Sequence, residues 1–499
     1  MGDFLLGIDI GTTSTKAILL HGEKGIVADS EAPAHLISRK AGWAEENPEE
    51  WWHNVGKVTK ECLQKTGISG ENIEAVGVSG MVPTIILVNE KGELLRLSIQ
   101  QNDARSFEEI KEFKDRVDEN EILKKTGSPI SQQSVGPKLL WLRRYEPEVM
   151  KSIAHIMGSY DYIVYKLTGS FSCERNWALE SGLFDLYKDD WDNDLLSLSQ
   201  IERSFLGKVY WPSDVVGEVN SQAAEHTGLK KGTAVVAGSA DHIASAFSAG
   251  VKNQGDLLIK LGGAGDILYA LDRPIVDSRL FLDYHVIPSK FLINGCMAAS
   301  GSIIKWFKNN FFSQNEYSYL DKEVMTIPSG SEGLILLPYF LGEKTPINDP
   351  LARGVIFGLN LSHSWKHIYR AILEGISFGF KHHIAVLQEH DLPIKKTRVT
   401  NGGARSILWK QITSDILGIQ LEEVANHPGS SLGAAFIAGM GIGKFKEWNE
   451  IERFIKISSI IIPNMEANKQ YQELYLIYRA LYESLKDKFP MLQKAIGGK

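Results

Sequence analysis

The chain has 499 residues, 43% of them hydrophobic and 23% charged, which suits a globular protein with more than one sizeable core. Its formal charge of −7 leaves no basic footprint and argues against a nucleic-acid partner. The three cysteines, Cys62, Cys173 and Cys296, are scattered without metal-ligand spacing, which points to a reducing compartment rather than a disulfide framework.

No apolar run approaches the ~18 residues a membrane span requires, and the opening residues read as a strand rather than a signal segment. The expectation is a cytoplasmic protein with no membrane partner. Phe4, Leu5, Leu6 and Ile8 predict a buried strand, Asp9 ends it, Gly11 turns it, and Ala17 to Leu20 returns as a second strand. The turn Gly11-Thr12-Thr13-Ser14-Thr15-Lys16 carries hydroxyls and one lysine beside a carboxylate. Backbone N–H groups and hydroxyls in a tight turn next to an aspartate suit a nucleotide phosphate with its magnesium ion. Taken alone, the same residues read equally well as a hairpin with a polar tip.

Ile26 and Val27 follow a Lys24-Gly25 turn as a further strand. Asn47-Pro48-Glu49-Glu50 predicts a helix start, with Asn47 as cap and Pro48 in the first position. Trp51, Val55, Val58 and Cys62 form its apolar stripe. Ile73 to Val78 reads as a buried strand ending at Ser79-Gly80. Ile85 to Val88 and Leu94 to Ile99 read as a hairpin. Gln100 to Arg105 leads into a helix from Phe107 to about Val117, for which Asp103 could serve as cap. Helices follow at Pro137 to Tyr145 and Ser159 to Leu167, and residues 170–215 read as irregular.

Ala234 to Gly238 is a strand running into Ser239-Ala240-Asp241-His242 and a small-residue helix from Ile243 to Gly250. Leu257 to Leu261, the turn Gly262-Gly263-Ala264-Gly265-Asp266, and Ile267 to Leu271 repeat the opening layout of strand, glycine-rich turn and strand. That recurrence predicts two domains of related design, 1–250 and 251–499. Leu334 to Leu341 reads as a strand and Ser364 starts a long helix through His390. Arg398 to Thr400 runs into Asn401-Gly402-Gly403-Ala404 and a helix from Ile407 to Leu417. A Gly/Ala-rich helix begins near Gly429, and Tyr471, Leu474, Tyr478, Leu481 and Leu485 form the core stripe of a terminal helix. His363 and His367 have the i,i+4 spacing of a metal pair without a carboxylate motif beside them, and read as ordinary surface residues.

Asp9 with its turn, Asp241, the Gly262–Gly265 turn and Gly402-Gly403-Ala404 all fall at the C-terminal ends of predicted strands, where α/β folds bind ligands. Together these segments resemble the FGGY family of carbohydrate kinases over about the whole chain, in its xylulokinase branch. Asp9 to Lys16 is similar to the family's first phosphate motif, Ser239 to His242 to the segment holding its catalytic aspartate, and Gly262 to Gly265 to its second phosphate motif. Pro338 to Pro346 with Arg370 to Gly375 resembles its C-terminal signature, and Asn401 to Gln411 its adenosine segment. The resemblance implies an α/β fold of two actin-like, ribonuclease-H-like domains flanking a nucleotide cleft. It implies ATP as phosphate donor, Mg²⁺ near Asp9, a small sugar as acceptor and Asp241 as both base and sugar contact. Gly11, Thr12, Thr13, Ser14, Lys16, Gly262, Gly263, Gly402, Gly403 and Ala404 would then bind ATP. Dimers are common in the family, so a homodimer is an expectation.

Three departures touch this assignment. Gly263 and Ala264 stand where the second phosphate turn has a threonine and a small residue. Met81, Val82, Pro83 and Thr84 replace the Gln-Met-His-Gly of xylulokinases, and Gln101 replaces the tryptophan before Asn102-Asp103. Met81, Asp103 and Arg105 remain as sugar contacts. The glycerol-kinase Arg-Glu pair is missing. The expected reaction is therefore phosphorylation of a ketose, D-xylulose first, with ribulose or another polyol as alternatives. A mechanical actin-like ATPase and a non-catalytic sugar-binding regulator are the competing classes.

Overall fold

The computed structural model describes residues 3–497. It divides into two compact units. The first takes the chain up to Lys252 with Asp272–Leu292 and Pro428–Phe454; the second takes Asn253–Leu271, Ile293–His427 and the chain from Ile455.

The first unit is built on a sheet whose strands run in the order Val215–Glu218, Ala234–Val236, Ile73–Gly80, Phe4–Ile10, Ser14–His21, Gly25–Pro33. The last three form an antiparallel meander. Phe4–Ile10 and Ala234–Val236 each lie parallel to Ile73–Gly80, and Val215–Glu218 closes the far edge antiparallel. Leu5, Leu6, Ile8 and Ile10 are all fully buried, as expected of a strand covered on both faces. The Pro48–Thr66 helix is capped as its sequence predicts: the Asn47 side chain accepts from the Glu49 N–H, and Trp51, Val55, Val58 and Cys62 are buried. The Ser430–Gly441 helix lies against the strands so closely that a Cβ on Gly7 would sit 2.0 Å from the Ser431 carbonyl oxygen, and one on Gly77 2.0 Å from that of Ala434.

The second unit repeats this plan. Its sheet carries Phe291–Met297, Gly265–Leu271, Asp256–Leu261, Lys396–Thr400, Leu421–Val424 and Ile457–Ile461 in that order. The Asp256–Leu261/Gly265–Leu271 hairpin, the parallel neighbours at Lys396 and Leu421, and an antiparallel last strand match the first sheet strand for strand. The duplication read from the two glycine turns is therefore a duplication of topology.

Several local expectations change. Ile86–Val88 pairs with His155–Met157, and only isolated bridges link it to the 94–99 stretch, because Ser98–Ile99 is taken by Glu45–Glu46. The 170–215 stretch contains ordered elements, including the Arg175–Glu180 and Asn193–Leu198 helices, around buried Trp177 and Trp191. The strand expected over 334–341 spans only Ile335–Leu337. The helix after Asp103 is preceded by Ser106, and Asp103 does not cap it. In the terminal helix Met465–Leu485 the buried face is Tyr471, Tyr475, Tyr478 and Tyr482, while Leu474, Leu481 and Leu485 are half-buried. His367 is buried, its Nδ1 accepting from the Ser364 N–H at the start of the Trp365–Glu389 helix, so it is not a surface residue.

Candidate active site

In the first unit, sheet register brings the acidic residues to one edge. Asp9 lies opposite Ser79, and Ser79 lies opposite Ser239 on the next parallel segment. Asp241 follows directly as the first residue of the Asp241–Ser248 helix. Neighbouring strands are spaced by about 4.8 Å, so the two aspartates leave the same sheet end two strands apart. Ser79 Oγ donates to Asp9 Oδ1 at 2.9 Å. Burial first, and then the charge of Asp241, raise the Asp9 carboxyl to about 6, against the lowering effect of Ser430, Ser79 and Lys16. Two carboxylates competing in one partly dry place suit a hard divalent cation or a transferable proton.

The turn after Asp9 presents Thr12 and Thr13 exposed, with Gly11 N–H donating to the Ser14 carbonyl at 3.0 Å. Ser14 is buried, and Lys16 lies within the Ser14–His21 strand, 3.7 Å from the Glu31 carboxylate of the next strand. The structure thus leaves the threonines at the tip and turns Lys16 sideways.

Met81 is buried; its N–H donates to the Ile10 carbonyl and its own carbonyl accepts from Ser159 Oγ. Asp103 and Arg105 are enclosed and held against each other. Asp103 Oδ2 accepts from the Ala44 N–H at 2.6 Å and from Arg105 Nη2 at 2.8 Å, and Arg105 also reaches Glu45 at 2.8 Å. The Arg105 guanidinium lies 3.9 Å from the Trp43 ring centre, and the Lys138 ammonium, buried nearby, donates to the Gln100 and Gln101 carbonyls. Burial lowers Lys138 to about 7, the charges of Asp103 and Arg105 pulling in opposite directions. Of this polar core only Asp103 and Arg105 are legible in the sequence, because Glu45, Trp43 and Lys138 lie far from them along the chain.

Beside Asp241 lies a second cluster. His242 Nε2 is 3.1 Å from Asp283 Oδ2 and 3.8 Å from Glu180 Oε1, and its Nδ1 is 3.5 Å from Asp241 Oδ1. Burial alone would lower the imidazole, but Glu180, Asp241 and Asp283 outweigh it and hold His242 well above the usual histidine range. Glu180, His242 and Asp283 bring ligand-type atoms within 4.8 Å of one another, with the His242 ring facing both carboxyl groups. Glu180 and Asp283 carry no local signal in the sequence.

In the second unit a cavity of about 700 Å³ opens at the ends of the paired strands. It is lined by Gly262, Gly263, Gly402 and Gly403 together with Leu261, Ile304, Tyr317, Tyr369, Leu373 and Trp409, an apolar box of the size that binds small molecules. Ser302, Lys305, Asp321, Arg405 and Ser406 supply its polar groups. Gly403 has no room for a side chain: a Cβ would lie 2.2 Å from the Trp409 ring and 2.7 Å from the Leu261 carbonyl. Ala404 is buried behind the glycines and does not line the cavity. Asp321 accepts from Ser406 Oγ at 2.6 Å and from the Tyr369 hydroxyl at 3.2 Å, and burial raises its carboxyl. The Gly262–Gly263 turn is gripped from behind, its carbonyls accepting from the Ser300, Gly301 and Ser302 N–H groups at the start of the Gly301–Phe311 helix. The Ser300 and Ser302 hydroxyls are buried beside it without a protein partner. The glycines are legible in the sequence, whereas Lys305, Asp321 and these serines carry no motif that marks them.

No helix of the described residues is long and apolar enough to cross a membrane. Residues 4–248 match the N-terminal domain and residues 267–442 the C-terminal domain of the FGGY family of carbohydrate kinases. The crystal structure of xylulose kinase from Rhodospirillum rubrum is 40% identical and superposes with a TM-score of 0.92, covering 97% of this chain and 99% of that one. Xylulose kinase of Bacillus subtilis (strain 168) is 29% identical over 487 residues, 97% of each chain. Gluconate kinase from Lactobacillus acidophilus, 27% identical, superposes with a TM-score of 0.92 over 98% of this chain and 99% of that one. The chain, with its two actin-like units, therefore belongs to the FGGY family of carbohydrate kinases and is an ATP-dependent sugar kinase.

Proposed function

We propose that this kinase transfers the γ-phosphoryl group of ATP to a hydroxyl of a ketose, D-xylulose first, with Asp241 as general base. The observation that carries the reading is the arrival of Asp9 and Asp241 at one sheet end, close enough for the charge of one to raise the other. In the reaction, Asp241 takes the proton of the acceptor hydroxyl as that oxygen bonds to the γ-phosphorus. The bond from the γ-phosphorus to the bridging oxygen breaks and ADP leaves. Asp9 is the residue assigned to Mg²⁺: its buried, destabilised carboxylate and hard oxygen donors fit such an ion. When bound, the ion spreads the charge developing on the phosphate oxygens.

The adenosine end is assigned to the cavity floored by Gly402 and Gly403. The phosphates are assigned to the Gly262–Gly263 turn and to the backbone and hydroxyls of Gly11, Thr12, Thr13 and Ser14, with Lys16 as a peripheral charge. The Ser300 and Ser302 hydroxyls, buried without partners, are suited to supply the contact that Gly263 and Ala264 lack. The acceptor is assigned to the region of Met81, Asp103 and Arg105, where the Asp103–Arg105 pair holds its two side chains in fixed positions. D-ribulose and other polyols are the alternatives, and D-gluconate joins them because gluconate kinase is among the relatives.

The test is a coupled ADP-release assay over ketoses, alditols and D-gluconate, run on the native enzyme and on Asp241→Asn. D-xylulose is expected to give the highest kcat/KM. Asp241→Asn is expected to bind ATP normally and to lose on the order of 100-fold or more in kcat with every acceptor. Near-native turnover by Asp241→Asn would remove Asp241 as the base, and a better acceptor than D-xylulose would replace the substrate.

A further inference from the structure

The Glu180–His242–Asp283 cluster is nearly closed to solvent. Asp283 is 1% exposed and the His242 and Glu180 side chains 14% and 13%; Asp283 Oδ1 and Glu180 Oε1, the Glu180 oxygen that faces the ring, have no hydrogen-bond partner. Burying acidic groups is costly without a basic partner: burial and the charge of Asp283 push the Glu180 carboxyl well above its ordinary range, and His242 is the basic group that faces both. The ring is thereby anchored at Nε2. Its other nitrogen is turned toward Asp241, and Oδ1 of that aspartate also accepts from the His242 backbone N–H at 2.5 Å. An imidazolium donates from both nitrogens, so a ring fixed at one end presents a directed N–H at the other.

We propose that His242 is a positioning residue for phosphoryl transfer: clamped by Asp283 and Glu180, it holds Oδ1 of Asp241 and leaves Oδ2 to take the proton of the acceptor hydroxyl. The inference rests on Asp241 being the base. Oδ1 then receives two N–H groups from one residue, backbone and ring, which restricts the carboxylate to one rotamer. The 3.5 Å separation between Nδ1 and Oδ1 is at the outer limit of a hydrogen bond, and catalytic hydrogen bonds commonly tighten in the reacting complex. The Asp241 side chain is 37% exposed, so without the ring it would be free to turn toward solvent.

Two near-isosteric variants separate the ring's nitrogens. Asparagine places an amide N–H where Nδ1 lies; glutamine places one where Nε2 lies. His242→Gln retains the contact with Asp283 and loses the donor to Asp241. It is expected to lower kcat on the order of 100-fold while the KM for ATP changes by less than about twofold. His242→Asn is expected to keep at least about ten times the kcat of His242→Gln, although it gives up the anchor. Thermal melts of both identify any that fails to fold, and Asp283→Asn, which weakens the anchor from the other side, is expected to lower kcat in the same direction.

Native kcat in His242→Gln, or equal losses in the two His242 variants, would overturn the inference. So would a His242→Asn that is the poorer enzyme, since the ring would then matter only through its buried end. Asp241→Asn measured in parallel separates the two readings. If it stays active, the base assignment fails; if it is dead while both His242 variants are native, only the positioning role fails.

Discussion

Glu343 illustrates how burial decides the behaviour of a single residue. It is 5% exposed, and its Oε1 accepts from the Ala298 N–H at 2.6 Å and the Lys344 N–H at 2.9 Å. Burial raises its carboxyl to about 8, the two backbone donors and Lys344 opposing that rise. A carboxyl raised in the folded state binds more protons there than in the unfolded chain. Its stabilising contribution is therefore complete below the ordinary glutamate range near 4.5 and is lost as pH climbs through about 8. Glu343→Gln keeps an acceptor for both N–H groups and cannot ionise. Its stability relative to native, read by urea unfolding, is expected to rise between pH 5 and pH 8 by an amount on the order of a few kcal/mol at most. A pH-independent difference would show that Glu343 ionises freely. The sequence places Glu343 in a family signature; its latch on Ala298 depends on a chain approach that only folding creates. Asp103 makes the same point: a capping aspartate by its neighbours, it is a buried partner of Ala44 and Arg105 once the chain is folded.

At the scale of elements, legibility follows the range of the signal. The Pro48–Thr66 helix was readable because its cap, its proline and its apolar stripe are all local. The pairing of the 86–88 strand is not legible locally, because its partner at 155–157 is distant and the nearer Ser98–Ile99 edge is taken by Glu45–Glu46. A very close seam in the first unit joins Gly7 and Gly77 to the Ser430–Gly441 helix; the helix's Gly/Ala composition suits close packing, but no local pattern names the strands it packs on. Gly7→Ala would drive a methyl group into the Ser431 carbonyl, backbone that cannot yield without moving the helix. It is expected to cost about 3 kcal/mol or more in urea unfolding, if it folds at all. In the second unit Gly403→Ala would push the Trp409 ring into the cavity it lines. The KM for ATP is expected to rise about tenfold with a smaller change in kcat, the pattern of lost binding rather than lost chemistry.

At the scale of the whole molecule, a nucleotide that binds only the native state must stabilise it. ADP at about 100 times its Kd is expected to add about 2.7 kcal/mol, read as a rise in melting temperature. Asp241→Asn should retain that rise and Gly403→Ala should lose much of it at the same ADP concentration, which distinguishes the proposed base from the proposed nucleotide box. The repeated strand–turn–strand pattern announced two related sheets, and the matching strand orders bear this out. By itself the sequence determined the duplicated fold and the glycine turns, and its motifs carried the resemblance to the kinase family. The fold and the turns rest on periodicity, caps and turn residues, whose physics spans a few neighbours. Tertiary structure alone decided that Asp9 reaches the same sheet end as Asp241, that Trp409 walls the cavity behind Gly403, and that Glu180 and Asp283 clamp His242. Each of these depends on sheet register or on the pairing of charges forced together by burial, and neither acts until distant segments have packed.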